Sequence, residues 1–390
     1  MNRLKAAGII TILFIACSSP PEVEIPEEIA ALENLTVFPA DSEPEFEITL
    51  TKEASYGDTD EIFLGEWISA EVDHYGRVFI ADQQETVIHL YNPNGTYNRQ
   101  VGREGEGPGE YRSIGQMRTD DHFFYLMDRN LNRITKFDLD TFEVTADYSV
   151  PVNQDEDDGH FRYPNTFYLV SDNHYLIRFG MGFNAGNSDA DDDERVVEGR
   201  ILKLEDESYE PGNLFSFPAS EALVQRDGGS IMVMGVPYNR SSHVTYRNDK
   251  IYHGWSENFL LKIYDGDGSY QRAIYYPFQN ISLDRDQILE QYKDSDRQWR
   301  DMVRNDNMPE TLPVYYSFLV DDENRFWVEM VTENTEESEY VVLQETGELL
   351  GRISWSRDKT VQQVKNGFLY TQEEDEMGLR EIVKYRVEFN

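Results

Sequence analysis

Six segments of this chain repeat one plan, a strand, a tight turn, a second strand and a polar turn. In the first, Val78-Phe79-Ile80-Ala81-Asp82 is followed after a turn by Val87-Ile88-His89-Leu90-Tyr91 and then Asn92-Pro93-Asn94-Gly95. The second pairs Phe124-Tyr125-Leu126-Met127-Asp128 with Arg133-Ile134-Thr135-Lys136-Phe137-Asp138, and the third-clearest pairs Lys250-Ile251-Tyr252-His253-Gly254 with Leu260–Asp265. In each, two aromatic residues stand 12 apart: Phe79 and Tyr91, Tyr125 and Phe137, Tyr252 and Tyr264. Such apolar runs bounded by Gly, Asn and Asp turns read as antiparallel hairpins. Looser copies pair Tyr175–Phe179 with Arg200–Leu204, Arg325–Val328 with Tyr340–Leu343, and Gly367–Tyr370 with Ile382–Tyr385.

Phe79 and Tyr125 are 46 residues apart, and Trp327 and Tyr370 are 43 apart. A period in the forties with about four strands per copy describes the blades of a β-propeller. Six copies predict an all-β, six-bladed propeller of four-stranded blades over residues 45–390. Aromatic residues make up 13% of the chain, which suits half-buried pleated strands. The last copy leaves no room for a final strand, whereas Phe46–Thr51 alternates as one before the first copy. That N-terminal strand is expected to close the ring. Residues 282–310 are the exception to the β pattern: Ile288, Leu289, Tyr292, Trp299, Met302 and Val303 recur near the helical period, with Asp284 as N-cap.

Asp73-x-x-Gly76-Arg77-Val78-Phe79-Ile80-Ala81-Asp82, together with Gly102-Arg103-Glu104-Gly105-Glu106-Gly107-Pro108-Gly109-Glu110-Tyr111, resembles the NHL-repeat-like six-bladed propellers found among bacterial lipoproteins. The match covers about residues 60–140, and the Gly-Pro-Gly run occurs once. The resemblance implies the fold and secretion, and no particular reaction.

Residues 1–16 read as a signal peptide: Arg3 and Lys5, then an apolar run from Ala6 to Ala16 too short to span a bilayer as a mature helix. The run ends Leu13-Phe14-Ile15-Ala16-Cys17, which resembles a lipobox with Phe14 where Leu is usual, and makes Cys17 the expected lipidation site. Cys17 is the only cysteine, so no disulfide can form within the chain. Residues 17–44, rich in Ser, Pro and Glu, read as a lipidated flexible tether. The expected location is the cell envelope, periplasmic or surface-facing, with membrane contact through the lipid anchor only. A formal charge of −39 argues against a nucleic-acid partner.

In a propeller of this plan, the turns between the second and third strands and the connections from one blade to the next share one face, here the first face. The remaining turns share the second. Gly102–Arg112, Gly180–Val196, residues 218–240, residues 282–310 and Thr332–Glu339 are the long segments, and all are expected on the first face. Loop-rich faces of repeat folds are where ligands bind.

On that face Arg103, Arg112, Arg129 and Arg133 form a possible grip for a carboxylate or sugar acid, or simply pair with neighbouring acids. Tyr238 and Trp255 could stack on a sugar or aromatic ligand, or pack in the core. Asp82 and Asp128 end equivalent strands at the rim. They are weak metal candidates whose structural role would be to cap the turn. The run Gly105–Glu110 suits a blade junction better than an anion nest, because Glu104, Glu106 and Glu110 repel anions. The acids at 189–194 lack the spacing of a Ca²⁺-binding helix–loop–helix. No nucleophile elbow or zincin spacing is present, and no catalytic residue is nominated. No cofactor is called for, with Ca²⁺ the ion left open.

The leading expectation is a non-catalytic envelope module holding a small molecule, glycan or protein on the first face. The alternative is a Ca²⁺-dependent hydrolase or lactonase of the six-bladed type, which would need acidic ligands converging at the channel. A scaffold role would require a large flat apolar patch instead.

Overall fold

The computed structural model describes residues 25–57, 62–152, 161–183, 195–227, 230–334 and 336–390. Its six large sheets are blades of antiparallel core arranged around a central channel, as the repeat predicts. The first blade runs outward from the axis through Ile68–Val72, Val78–Asp82, Val87–Tyr91 and Tyr97–Gln100. The second uses Gln116–Thr119, Phe123–Asp128, Arg133–Asp138 and Val144–Ser149. The third has Arg162–Ser171, His174–Met181 and Val196–Lys203, with its outer position divided between Ser208–Tyr209 and Phe215–Pro218. The fourth comprises Ser242–Arg247, Lys250–Trp255, Phe259–Asp265 and Tyr270–Tyr276. The fifth comprises Tyr315–Val320, Phe326–Met330, Glu337–Leu343 and Leu349–Ser356.

The sixth blade closes the ring. Thr360–Lys365, Phe368–Glu374 and Arg380–Phe389 come from the end of the chain, and Ile48–Tyr56 from its beginning. The register runs from Ile48 opposite Phe389 to Tyr56 opposite Ile382. This strand covers what would otherwise be a long unpaired edge.

The core is a ring of apolar clusters between neighbouring blades, which leaves the axis free. The aromatic anchor of each second strand packs toward the following blade. Phe79 stacks on Phe124 with centroids 4.4 Å apart. Tyr125 meets Tyr175, Tyr252 meets Phe326, Trp327 shares a cluster with Leu369, and Tyr370 packs with Val78 and Ile80. In the third blade Leu176 takes the place of the aromatic and packs with Ile251.

Two insertions sit on the first face. Asp284 caps the helix Arg285–Gln291, its carboxylate accepting from the N–H groups of Asp286 and Gln287, and a second helix follows at Arg297–Asn305. A hairpin, Leu223–Asp227 with Ser230–Met234, packs beside them over a small core that includes Val236, Tyr238, Ile288 and Val303.

The tether expected up to residue 44 is ordered over its later part. Leu35–Val37 adds to the fourth blade as a parallel fifth strand beside Tyr270–Tyr276, Ile29 is buried, and Phe38 stacks on Tyr276. The polar composition conceals these few apolar anchors. Among the described residues, no helix is long and apolar enough to cross a membrane.

Candidate functional site: the central channel and its first-face rim

The innermost strands must pack on both neighbours while facing water along the axis, so alternate residues on them are polar. They line a cavity of about 600 Å³ that reaches from the first face past Ser69, Gln116 and Ser242. A second cavity of about 260 Å³ occupies the other end, toward Thr119, Asn248 and Lys365. Glu71, Arg118, Thr245, Arg247 and Gln363 line both, and so mark the waist where the two meet.

The charge balance here is opposite to that of the whole chain. The charged groups lining the two cavities are four cations, Arg118, Arg178, Arg247 and Lys365, and one carboxylate, Glu71. Glu71 is already engaged, accepting from Thr119 Oγ1 at 2.8 Å and lying 3.8 Å from Lys365 Nζ. Lys365 is engaged too, donating to the Val72 carbonyl oxygen and to Thr119. Arg118 is held loosely, by the Phe167 carbonyl at 3.3 Å and the face of Tyr168. Arg178 donates to Asn165 Oδ1 at 3.0 Å, while its buried Nε has no hydrogen-bond partner. Arg247, half-buried, makes no hydrogen bond or ion pair to a described residue.

His243 lines the same cavity, and its Nε2 is buried without a partner. Burial, reinforced by the Arg178 guanidinium, pushes its pKa down to about 4, so the ring is neutral at pH 7. Beneath it His253 stacks on Phe217 with centroids 3.9 Å apart. Burial, with Lys262 and His243 nearby, takes its pKa down to about 3.

The rim of the first face carries apolar side chains. Phe63 and Trp67, each 68% exposed, lie on the connection into the first blade. Phe161 and Tyr163, stacked on each other, stand at the entry to the third. Val233 belongs to the first-face hairpin and Met377 to the turn between the second and third strands of the sixth blade. Only Tyr75, on the second face, and Val37, on the outer edge, complete the exposed large apolar residues among those described.

The residues singled out from the sequence are disposed differently. Arg103 pairs with Glu110 and Arg112 with Glu106, each at 2.6 Å. Arg133 donates to the carbonyl oxygens of Glu110 and Gly107. Arg129 is exposed, with no hydrogen bond to a described residue. Tyr238 is buried under the helices, its hydroxyl donating to Asp306 at 2.8 Å, and Trp255 is half-buried at the end of its strand. The Asp82 carboxylate accepts from the N–H groups of Gly65, Gln84 and Glu85. Asp128 accepts from those of Arg112, Asn130 and Leu131 and from the Ser113 hydroxyl. Both carboxylates thus cap turns. Among the described residues, no three His, Cys, Asp or Glu side chains converge as a metal site. Cys17 and the acids at 189–194 lie outside the described residues.

Known proteins agree on the architecture. The model of a family described as 6-bladed beta-propeller, DUF5128, matches residues 58–191. No curated protein matches the chain. A structure from Bacteroides vulgatus, a member of the DUF4221 family, is similar over 89% of this chain and 100% of its own, at 12% identity and a TM-score of 0.54. Another, from Bacteroides fragilis and described as a candidate exported protein, is similar over 91% of this chain and 99% of its own, at 10% identity and a TM-score of 0.51. At such identities the likeness is one of fold.

The channel cations escaped sequence reasoning. The signal was present as polar residues two apart just before each inner turn: Gln116 and Arg118, Thr245 and Arg247, Gln363 and Lys365. Counting back from the recognised second strands would have found them.

Proposed function

We propose that this protein is a non-catalytic binding module of the cell envelope that takes a small molecule or glycan on the first face, over the channel opening. One observation carries the reading: among the described residues, six of the eight exposed large apolar side chains stand on that face. Scattered apolar residues on a soluble surface need no explanation, but their concentration on one face does. Aromatic faces on the same face that the polar cavity opens to suit a ligand with apolar faces and polar edges, which describes a sugar ring. The long insertions on the same face support the reading, and a protein of similar fold is itself described as a candidate exported protein. The lipobox-like Leu13–Cys17 provides the envelope anchor.

A panel of soluble oligosaccharides, titrated against the full chain and its variants, tests this. Trp67→Ala and Phe161→Ala are expected to weaken binding by up to about tenfold, the scale of one lost stacking contact. Tyr75→Ala, on the second face, is expected to leave it unchanged. Equal effects from all three would end the single-face reading. For the anchor, Cys17→Ser is expected to move the protein from the membrane fraction to the soluble one. Unchanged membrane retention would remove that part.

A further inference from the structure

We propose that the waist of the channel is an anion site, in which Arg118 and Arg247 grip the carboxylate of a sugar acid that enters from the first face. The inference deepens the reading above, since it names the ligand class and takes the entry side from it.

Three independent features converge on it. First, the cavities hold four cations against one carboxylate, in a chain whose formal charge is −39. Surface acids act over about one Debye length, roughly 8–10 Å in physiological salt, so charges lining a channel with low-dielectric walls dominate the potential there. Second, the cations differ in availability. Lys365 and Glu71 neutralise each other and bond to Val72 and Thr119, whereas Arg247 has no partner among the described residues and Arg118 has only weak ones. A half-buried guanidinium with no protein acceptor is free to exchange its water for a ligand's oxygens. Its planar fork fits a carboxylate with two parallel hydrogen bonds.

Third, the rest of the lining selects a hydroxylated ligand. Gln83, Gln116, Gln362, Ser69, Ser242 and Thr245 offer amides and hydroxyls, which can both donate to and accept from sugar hydroxyls. A cavity of about 600 Å³ falls within the usual range for small-molecule sites. A bare inorganic anion would use the guanidinium groups and leave this lining idle.

Calorimetric titration of the full-length protein with D-galacturonate, D-galactose and inorganic phosphate separates the possibilities. Galacturonate is expected to bind, with affinity falling as salt rises, and galactose at least about tenfold more weakly. Arg247→Gln and Arg118→Gln are each expected to lower galacturonate affinity about tenfold or more, and Arg247→Lys to retain part of it. Arg247→Gln breaks no hydrogen bond or ion pair to a described residue, so its melting temperature is expected to stay close to the parent's.

No galacturonate binding, equal binding of galactose, or full affinity in both glutamine variants would each overturn the proposal. Phosphate binding as tightly as galacturonate would overturn the sugar-acid assignment and leave an anion site of no particular shape. The two readings fail separately: intact oligosaccharide binding in Trp67→Ala counts against the rim, and intact galacturonate binding in Arg247→Gln counts against the waist.

Discussion

Lys365, in the innermost strand of the last blade, donates to the carbonyl oxygen of Val72 in the innermost strand of the first at 2.6 Å. Beside it Gln363 Oε1 accepts from the Val72 N–H at 3.0 Å. The two ends of the repeat are therefore joined twice, at the outer edge by the N-terminal strand and at the channel by these side chains. The outer joint uses a regular ladder. The inner one substitutes side-chain groups for the partners that Val72 has no strand to supply.

Removing the Lys365 half of the inner joint should loosen the seam without unfolding the blades. In Lys365→Met the Val72 carbonyl loses a charge-assisted hydrogen bond, and Glu71, only 6% exposed, loses its cation. The expected cost is about 1–3 kcal/mol, measured as a fall in the urea midpoint. Adding Glu71→Gln should recover part of it, because the stranded carboxylate is then gone. An unchanged midpoint in the single variant would show that the Lys365 bonds add nothing to the seam.

How much of this was legible depended on what each strand faces. The second and third strands of every blade are buried between neighbours, so Val78–Asp82 and Phe123–Asp128 read as apolar runs bounded by turns. Ile48–Tyr56 was legible through its alternation and through the missing last strand. Leu35–Val37 was not, because a parallel edge strand of three residues in a Pro- and Glu-rich stretch has no period to show. Among the cations, sequence reading favoured those beside the Gly-Pro-Gly run. Arg103, Arg112 and Arg133 are taken up there by Glu110, Glu106 and main-chain carbonyls. Arg118 and Arg247 drew no notice, since which residues share a channel depends on closure of the ring.

Gly95 and Gly367 allow a test of how closely the N-terminal strand is seated. Both have positive φ, +88° and +75°. A Cβ on Gly95 would lie 2.5 Å from the Ser55 carbonyl oxygen of the closing strand, whereas one on Gly367 would meet nothing within 4 Å. Gly367→Ala is expected to cost about 1–2 kcal/mol from its backbone conformation alone. Gly95→Ala should cost at least about 1 kcal/mol more, because a carbonyl must also be displaced. Chemical denaturation of both variants gives the comparison, and equal losses would mean the strand yields freely.

Asp321 and Asp73 share one turn design, with Arg four residues on closing each. Asp321 accepts from the N–H groups of Glu323 and Arg325, from Arg325 Nε at 2.7 Å and from the indole of Trp327 at 2.9 Å. Asp73 holds Tyr75 and Arg77 in the same way but has no indole. Asp321→Ala leaves the indole N–H without its acceptor and the Arg325 guanidinium with Glu323 as its remaining ion-pair partner, for an expected loss of about 2–4 kcal/mol. Asp73→Ala is expected to cost less. Melting curves of the pair decide it, and the reverse order would mean that the indole bond is incidental.

Stability should fall in mild acid because burial holds imidazoles below their ordinary pKa, His253 and His243 most strongly. Burial lowers the pKa of His253 to about 3 and of His243 to about 4, from an ordinary value of 6.5. Between those limits the unfolded chain binds protons at these sites and the folded chain does not, so acid favours unfolding. The stabilisation is complete above pH 6.5 and is lost as the pH falls toward the folded values. The slope is at most about 1.4 kcal/mol per pH unit for each ring. Urea titrations at intervals from pH 7.5 to 4.5 should show this decline before most carboxylates begin to protonate. His253→Phe keeps the stack on Phe217 and removes one titrating group, so its decline should be shallower by up to half. The same slope in parent and variant would mean that His253 is not held neutral by the fold.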